Sequence, residues 1–257
     1  MAEAAIAAQC AARETDLSTV RYCKQAMEGR DRGVAPSPEL RQRVEQRLTA
    51  VLSACKAATI AALVDTARVR VVSPGGSVYA QGEPVPLTLL IGGYGIAQRT
   101  TTDGQQLFSG VAPAGELFGY SGISASVSSI ELLALTECEV AQWDGGEIRT
   151  LAAQDSALAL VAIDSLAGSL HVLMGQIEGF LHQDARRRVL RILSRYRPLF
   201  FCETPVLNRT HLPGLVGTTR EMTGRVLRQL EREGTLRREG RTGLRLLDPE
   251  RLEAPAA

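Results

Sequence analysis

The sequence predicts an α+β protein, because its residue composition and hydrophobic pattern change at three points along 257 residues. Residues 1–62 are Ala-rich and helical in pattern, whereas residues 63–150 contain short β segments separated by turn residues. Residues 151–183 carry apolar side chains at helical spacing, and residues 184–257 combine basic helices with a terminal hairpin. We therefore predict four units with these bounds.

The first unit is predicted to be a helical N-terminal extension. Its apolar residues recur at helical spacing after a Gly- and Pro-containing break over 29–38; they are Val44, Leu48, Val51, Leu52 and Cys55. We expect this extension to cover the adjoining domain or a dimer; binding a partner is the alternative. The N-terminus lacks the basic start of a secretory signal, and we expect no apolar run to reach the roughly 20 residues that span a bilayer. A cytoplasmic protein without a membrane partner is therefore expected.

The second unit is predicted to be a small β-roll or jelly roll. Its short apolar segments are Val69–Val72, Val78–Tyr79, Leu87–Ile91, Gly95–Arg99 and Gln106–Val111. Gly and Pro punctuate them at short intervals, as in small all-β folds. The unit contains no His, which disfavours metal chemistry on its strands. We therefore predict neither an enzyme nor a metal site.

The third unit is predicted to be one long dimerisation helix. Its apolar residues are spaced alternately four and three apart: Ala159, Ile163, Leu166, Leu170, Leu173, Ile177 and Phe180. This is the a/d pattern of a coiled coil, whereas a helix packed on its own domain would use a broader stripe. The pattern favours a parallel homodimer, with the residues from Ile163 to Phe180 at the interface.

The fourth unit is strongly basic although the whole chain carries a net charge of only +1. Residues 184–257 contain 16 Arg, no Lys and 9 acidic residues, a net charge of +7, whereas residues 1–183 carry −6. A basic module joined to an acidic one is typical of a domain that faces phosphate groups.

Within this basic unit, residues 207–234 predict a helix, a turn, a second helix and a stop. Asn208 can cap the first helix, Gly217 ends it, and Gly234 ends the second. Either Thr218 or Thr219 can cap the second helix. The predicted buried stripe of that helix is Met222, Val226 and Leu230. Arginines in the opening turns then face elsewhere, as in a helix-turn-helix whose second helix enters the major groove. The alternative is a surface helix with solvated arginines.

The motif Thr218-Thr-Arg-Glu-x-x-x-Arg-x-Leu-x-x-Leu-Glu-x-x-Gly234 resembles the recognition helix of the cyclic AMP receptor protein / fumarate-nitrate regulator superfamily of bacterial transcription regulators. The resemblance implies that Arg220, Glu221 and Arg225 read bases, since guanidinium groups suit guanine and a carboxylate suits cytosine N4. It implies phosphate contacts from Arg209 and Thr219. The remaining predicted DNA-binding residues are Thr223 and Arg228. The resemblance also implies a palindromic operator with TGTGA-like half-sites, and RNA polymerase as a further partner.

A second resemblance lies in the β unit, which is similar to the cyclic-nucleotide-binding domain of that family. Its motifs are Gly75-x-x-x-Tyr-x-Gln-Gly-Glu83 and Gly115-Glu-Leu-Phe-Gly119. The implied effector-pocket residues are Gly115, Glu116, Leu117, Ser128 and Ser129. Ser128-Ser129 stands where the family has an Arg-Ser pair, so the phosphate-neutralising arginine is missing. Leu173 and Met174 also replace the Thr-Ser pair that reaches adenine. We therefore expect an effector other than cyclic AMP in its ordinary mode.

The cysteines leave alternatives open. Five widely spaced residues, Cys10, Cys23, Cys55, Cys138 and Cys202, predict reduced thiols and not a disulfide framework. No cofactor is predicted, but an iron–sulfur cluster or redox sensing through these thiols stays an alternative, since one branch of the family senses oxygen with a cluster. Haem is a further alternative, although its usual His ligands are missing from the roll. The last alternative is a constitutive DNA-binding protein that responds to no effector.

Overall fold

A computed structural model describes residues 37–253 of the chain. The first part contains α1 (Pro38–Val51), α2 (Ala57–Thr66), β1 (Arg68–Val72), β2 (Ser77–Tyr79), β3 (Leu87–Gly92), β4 (Tyr94–Thr100), β5 (Gln106–Pro113), β6 (Leu117–Phe118), β7 (Glu131–Ala134), β8 (Cys138–Trp143) and α3 (Gly145–Gln154). The second part contains α4 (Ser156–His182), α5 (Ala185–Arg195), α6 (Arg197–Phe200), α7 (Leu212–Val216), α8 (Arg220–Arg232), β9 (Leu236–Glu239), β10 (Gly243–Leu246) and α9 (Glu250–Glu253). The predicted α+β class is confirmed. Cys10 and Cys23 lie outside the described residues.

The β unit is a roll of two four-stranded sheets with all strands antiparallel. One sheet has the order β1-β8-β3-β6 and the other β2-β7-β4-β5. Apolar side chains fill the space between the sheets: Val72, Val78, Tyr79, Leu90, Leu132, Ala134, Cys138 and Val140, with Phe118 packed against them. The predicted β-roll is confirmed.

Helices α1 and α2 cover the outer face of the first sheet. Ser37 caps α1, since its Oγ accepts a hydrogen bond from the Leu40 amide at 3.3 Å. Val44 and Leu48 of α1 are fully buried in the core that the helices share with that sheet. Arg43 adds an ion pair to Glu139 of β8 at 2.6 Å. The described part of the N-terminal extension therefore packs on the roll. The predicted boundaries at 62/63 and 150/151 fall inside α2 and α3, and the division into domains stays a prediction.

Asp155 joins the start of α4 to the start of α2. It is only 2% exposed, and its carboxylate accepts hydrogen bonds from Thr59 Oγ1 (2.7 Å), the Lys56 amide (2.8 Å) and the Ala157 amide (3.2 Å). These hydrogen bonds lower the pKa of Asp155, and the bond from Thr59 is the largest cause of the shift. The carboxylate thus satisfies amides at the starts of both helices and joins these two ends.

Helix α4 projects from the roll with most of its apolar residues exposed. The six predicted seam residues are between 40% and 59% exposed: Ile163, Leu166, Leu170, Leu173, Ile177 and Phe180. By length and composition alone, α4 could also cross a membrane. The expectation that no apolar run approaches that length was therefore wrong, because only two carboxylates, Asp164 and Glu178, interrupt the apolar character of this helix.

The C-terminal part forms a helical core that continues into the roll. Asp184 caps α5 by accepting a hydrogen bond from the Arg187 amide at 2.7 Å. The core of α5, α7, α8 and the β9–β10 hairpin also includes Ile96 of β4 and contacts Phe108 of β5. A Cβ placed on Gly214 of α7 would lie 2.7 Å from the Phe108 ring, so glycine permits this close packing. The roll and the C-terminal unit thus share one core.

Candidate DNA-recognition surface

The turn between α7 and α8 has the geometry that the sequence predicts. Gly217 adopts φ +67°, and the Phe180 ring occupies the space that a Cβ would need. Thr219 caps α8, since its Oγ1 accepts a hydrogen bond from the Met222 amide at 3.1 Å. The prediction that Asn208 caps α7 was wrong. Its Oδ1 accepts from the Thr210 amide at 2.9 Å in a local turn, and α7 begins only at Leu212.

Helix α8 buries one face and exposes the other. Val226 and Leu230 are buried as predicted, together with Leu227, whereas Met222 is only half-buried. Thr223 is also buried, with 2% exposure, and its hydroxyl donates to the Thr219 carbonyl at 3.0 Å. The structure thus contradicts the prediction that Thr223 contacts DNA, because its side chain faces the protein core.

The three predicted base-reading residues lie on the exposed face of the first turns of α8. Arg220 is exposed, and the side chains of Glu221 and Arg225 are 81% and 64% exposed. Glu221 Oε1 and Arg225 Nη2 form an ion pair at 3.2 Å. An exposed pair of this kind contributes at most about 1 kcal/mol, so both groups can exchange it for base edges at small cost.

Arg209 and the hairpin form one support beside α8. The Arg209 amide donates to the Thr242 carbonyl at 3.0 Å, and its guanidinium donates to the Arg241 carbonyl. The side chain that was predicted to contact phosphate therefore also holds the β9–β10 turn. Arg237 and Arg241 remain exposed on that hairpin.

A concavity of about 300 Å³ separates α8 from the hairpin, and its lining residues are Arg225, Arg228, Glu231, Arg232 and Arg238. Glu231 accepts from the Arg238 amide at 3.0 Å and from Arg238 Nε at 2.8 Å. These bonds lower the pKa of Glu231, and the bond from the Arg238 amide is the largest cause of the shift. The Glu231–Arg238 pair was missed by the sequence analysis, because seven residues and a turn separate its members.

The predicted effector-pocket residues have mixed surroundings in the roll. Ser128 is buried, and its hydroxyl donates to the Ile130 carbonyl at 2.6 Å, so the structure contradicts its predicted role as a donor to an effector. Ser129 is exposed, and Leu117 is buried in the core beneath α1. Burial raises the pKa of Glu116.

Beside Gly115, which has φ +94°, lies the guanidinium of Arg47, 3.2 Å from the position of a Cβ. This arginine from α1 was not foreseen, since it lies almost seventy residues earlier in the chain. It stands on the helix-covered side of the sheet and not between the two sheets.

The interior of the roll is apolar. Tyr79 is 6% exposed, and burial raises its pKa to about 12. Leu173 and Met174, which replace the polar pair of the family, are about half exposed on α4. A nucleotide phosphate placed between the sheets would therefore meet hydrocarbon instead of a cation.

Two of the described thiols are poorly suited to form thiolates. Cys138 donates to the Tyr94 carbonyl at 3.2 Å, and burial raises its pKa and that of Cys55. Cys202 is exposed. Among residues 37–253 no three His, Cys, Asp or Glu side chains group as metal ligands.

The fold and this surface define a winged helix-turn-helix DNA-binding protein. Residues 182–254 match the family model of the Crp-like helix-turn-helix domain. The chain is 29% identical over 156 residues to the cAMP-activated global transcriptional regulator Vfr of Pseudomonas aeruginosa, covering 54% of this chain and 71% of that protein. By these matches the chain is similar to transcription regulators of the cyclic AMP receptor protein / fumarate-nitrate regulator superfamily, and the family-model match itself lies in residues 182–254.

Solved structures show the same fold. FixK2 from Bradyrhizobium japonicum has a TM-score of 0.63 and 21% identity, and covers 74% of this chain and 99% of its own. The c-di-GMP responsive regulator CLP from Xanthomonas campestris has a TM-score of 0.63, 25% identity and the same two coverages. The roll, the long helix and the C-terminal helix-turn-helix are thus shared with these proteins.

Proposed function

We propose that this regulator acts as a homodimer that reads a palindromic operator through two copies of α8, one in each half-site. The observation that carries the proposal is the exposure of Arg220, Glu221 and Arg225 together on the first turns of α8. Residues at this end of a recognition helix meet base edges in the major groove. Arg209, Thr219 and Arg228 border the same surface and would contact phosphates.

The dimer is supported by the exposed face of α4. A stripe of six large apolar residues at a/d spacing is costly to leave in water, and pairing with the same stripe of a second chain removes it from solvent. The same face also offers an explanation, other than membrane insertion, for the apolar character of α4. Two recognition helices related by a two-fold axis then meet half-sites about one helical turn of DNA apart.

The last part of the proposal is that an effector controls DNA binding, and that this effector is not cyclic AMP bound in the ordinary way. The filled roll interior, the occupied Ser128 hydroxyl and the missing arginine all disfavour a buried phosphodiester. The relative Vfr is described as cAMP-activated, and CLP as c-di-GMP responsive. The effector therefore differs between relatives, and it is not fixed by the fold. A cytoplasmic location and RNA polymerase as a partner accord with this role.

Selection of binding sites from random duplexes by the purified chain tests the proposal. We expect enrichment of a palindrome with TGTGA-like half-sites, at moderate salt. Enrichment of a single unpaired half-site would contradict the dimer, and the absence of any enriched sequence would contradict sequence-specific recognition. Selections with and without a cell extract of small molecules separate a gated regulator from a constitutive binder.

A further inference from the structure

A groove lies where the β4–β5 hairpin, α4 and α5 meet, on a different part of the protein from the predicted effector pocket. Its volume is about 220 Å³. The lining residues that carry the argument are Phe108, His171, Gln176, Arg191, Arg195 and Tyr196. The walls therefore come from the roll, the long helix and the DNA-binding unit together.

The groove is cationic. Arg191 and Arg195 lie one turn apart on α5, and none of the lining residues is Asp or Glu. Within residues 37–253, neither guanidinium forms an ion pair or hydrogen bond; Arg195 stacks over the Tyr196 ring at 5.4 Å. His171 of α4 lines the facing wall. Two guanidinium groups without a carboxylate partner in a concave site attract an anion, and a carboxylate matches their fork geometry.

The remaining lining is largely apolar and aromatic. Phe108, Val172 and Tyr196 supply ring and aliphatic surface. Gln176 is tied to the hairpin by a 2.8 Å hydrogen bond from its Nε2 to the Ser109 carbonyl. The volume lies between the roughly 150 Å³ of a cavity that admits benzene and the roughly 300 Å³ at which pockets for larger ligands begin. The dimensions therefore suit one aromatic ring with an acidic substituent.

We propose that this groove binds a small aromatic carboxylate, with Arg191 and Arg195 on the carboxylate and Phe108 and Tyr196 against the ring. Because three parts of the molecule form the walls, a bound acid stabilises the arrangement in which the DNA-binding unit is docked on the roll. The site thus supplies an effector for the proposed regulator, and its gating role rests on that proposed function. Binding itself does not.

The first experiment measures binding to the full chain without DNA. Benzoate, salicylate and phenylacetate are titrated by calorimetry and by ligand-observed NMR, with benzamide as the neutral analogue. We expect at least one of these acids to saturate the protein and benzamide not to. The double variant Arg191→Gln/Arg195→Gln should weaken binding at least about tenfold, since both charge-assisted bonds are lost. Arg149→Gln, an exposed arginine on α3, is the matched control and should bind as the parent chain does.

The proposal is overturned if none of the three acids saturates up to about 10 mM, or if the double variant binds them as tightly as the parent. Both arginines are exposed on α5, so their removal leaves the core intact; circular dichroism checks this.

The second experiment measures affinity for the selected operator with and without the acid that binds. We expect the acid to change operator affinity of the parent chain but not of the double variant. Binding of the acid without any change in operator affinity would overturn the gating role. If the parent chain recognises no operator, the proposed function fails, whereas the calorimetric result still decides the groove.

Discussion

Glu231 of α8 accepts two hydrogen bonds from Arg238 of β9, one from the backbone amide at 3.0 Å and one from Nε at 2.8 Å. The pair ties the recognition helix to the hairpin beside it. Both bonds lower the pKa of Glu231 from its ordinary value of 4.5. Because the folded pKa is depressed, this stabilisation is complete above pH 4.5 and is lost as the pH falls through the folded value.

We therefore expect Glu231→Gln to lower the thermal midpoint at pH 7 and to flatten the acid limb of the stability curve. Chemical denaturation from pH 7 down to about pH 3 measures both effects, since that range spans the titration. Glu250→Gln, an exposed carboxylate on α9, serves as the control. An acid limb as steep in Glu231→Gln as in the parent would show that the pair does not contribute.

Arg225 is predicted to read one base pair. Replacing it with Ala should cost about 1–3 kcal/mol on the preferred operator and relax selectivity at one position of each half-site, because one pair of directed hydrogen bonds is lost. Binding-site selection and titrations with single-base variants measure this. Arg228→Ala is the comparison: we expect it to weaken binding to all sequences alike and to reduce the salt dependence. Unchanged selectivity in Arg225→Ala would refute the assignment.

Thr219 is predicted to have two roles, as the cap of α8 and as a phosphate contact. Thr219→Ala should destabilise the protein by about 1 kcal/mol through loss of the cap. Thr219→Asp retains a capping oxygen but places a negative charge near the DNA, so it should stay stable and bind DNA weakly. Thermal unfolding and operator titrations of both variants separate the roles. Thr218→Ala, the neighbouring threonine, is the control for stability.

The apolar seam of α4 is predicted to hold two chains together. Leu170→Glu would place an unpaired charge in that seam, at a cost of several kcal/mol, and should yield a monomer that no longer binds the palindrome. Sedimentation equilibrium measures the assembly. Asp164→Lys changes charge on a different face of the same helix and should remain dimeric. A dimer in Leu170→Glu would exclude this seam as the interface.

Cyclic AMP is predicted not to bind in the roll with useful affinity. Isothermal titration of the full chain should give no saturable heat at nucleotide concentrations of about 100 µM, since a phosphodiester between the sheets would lack a cation. The same titration with cyclic GMP should give the same result. Micromolar affinity for either nucleotide would require that the apolar interior of the roll rearranges around Tyr79.

Short-range signals in the sequence predicted much of the recognition unit. Gly217 and Thr219 define the turn and the cap within three residues, and both have the predicted conformations. The roll was predicted from its turn residues. The predicted roles of Ser128 and Thr223 were wrong for two different reasons. The Ser128 hydroxyl donates to the carbonyl of Ile130, two residues along the chain, in a local contact that its spacing from the motif does not indicate. Thr223 is buried in the core beneath α8, to which distant segments contribute.

Contacts between distant segments could not be predicted. Asp155 directly precedes α4, but nothing in the neighbouring sequence indicates that Lys56 and Thr59 would also donate hydrogen bonds to it. Arg47 beside Gly115 and Phe108 over Gly214 likewise join segments far apart in sequence. Such pairs need the tertiary topology, which spacing and composition do not contain.

The shared core that joins Ile96 and Phe108 to the helices after α4 has a consequence for dissection of the protein. Cutting the chain after α4 would expose an apolar surface on each fragment, and both fragments would tend to aggregate. The DNA-binding unit and the roll are therefore expected to unfold in a single thermal transition. Coupling between the roll and the DNA-binding unit should therefore be measured on the intact chain.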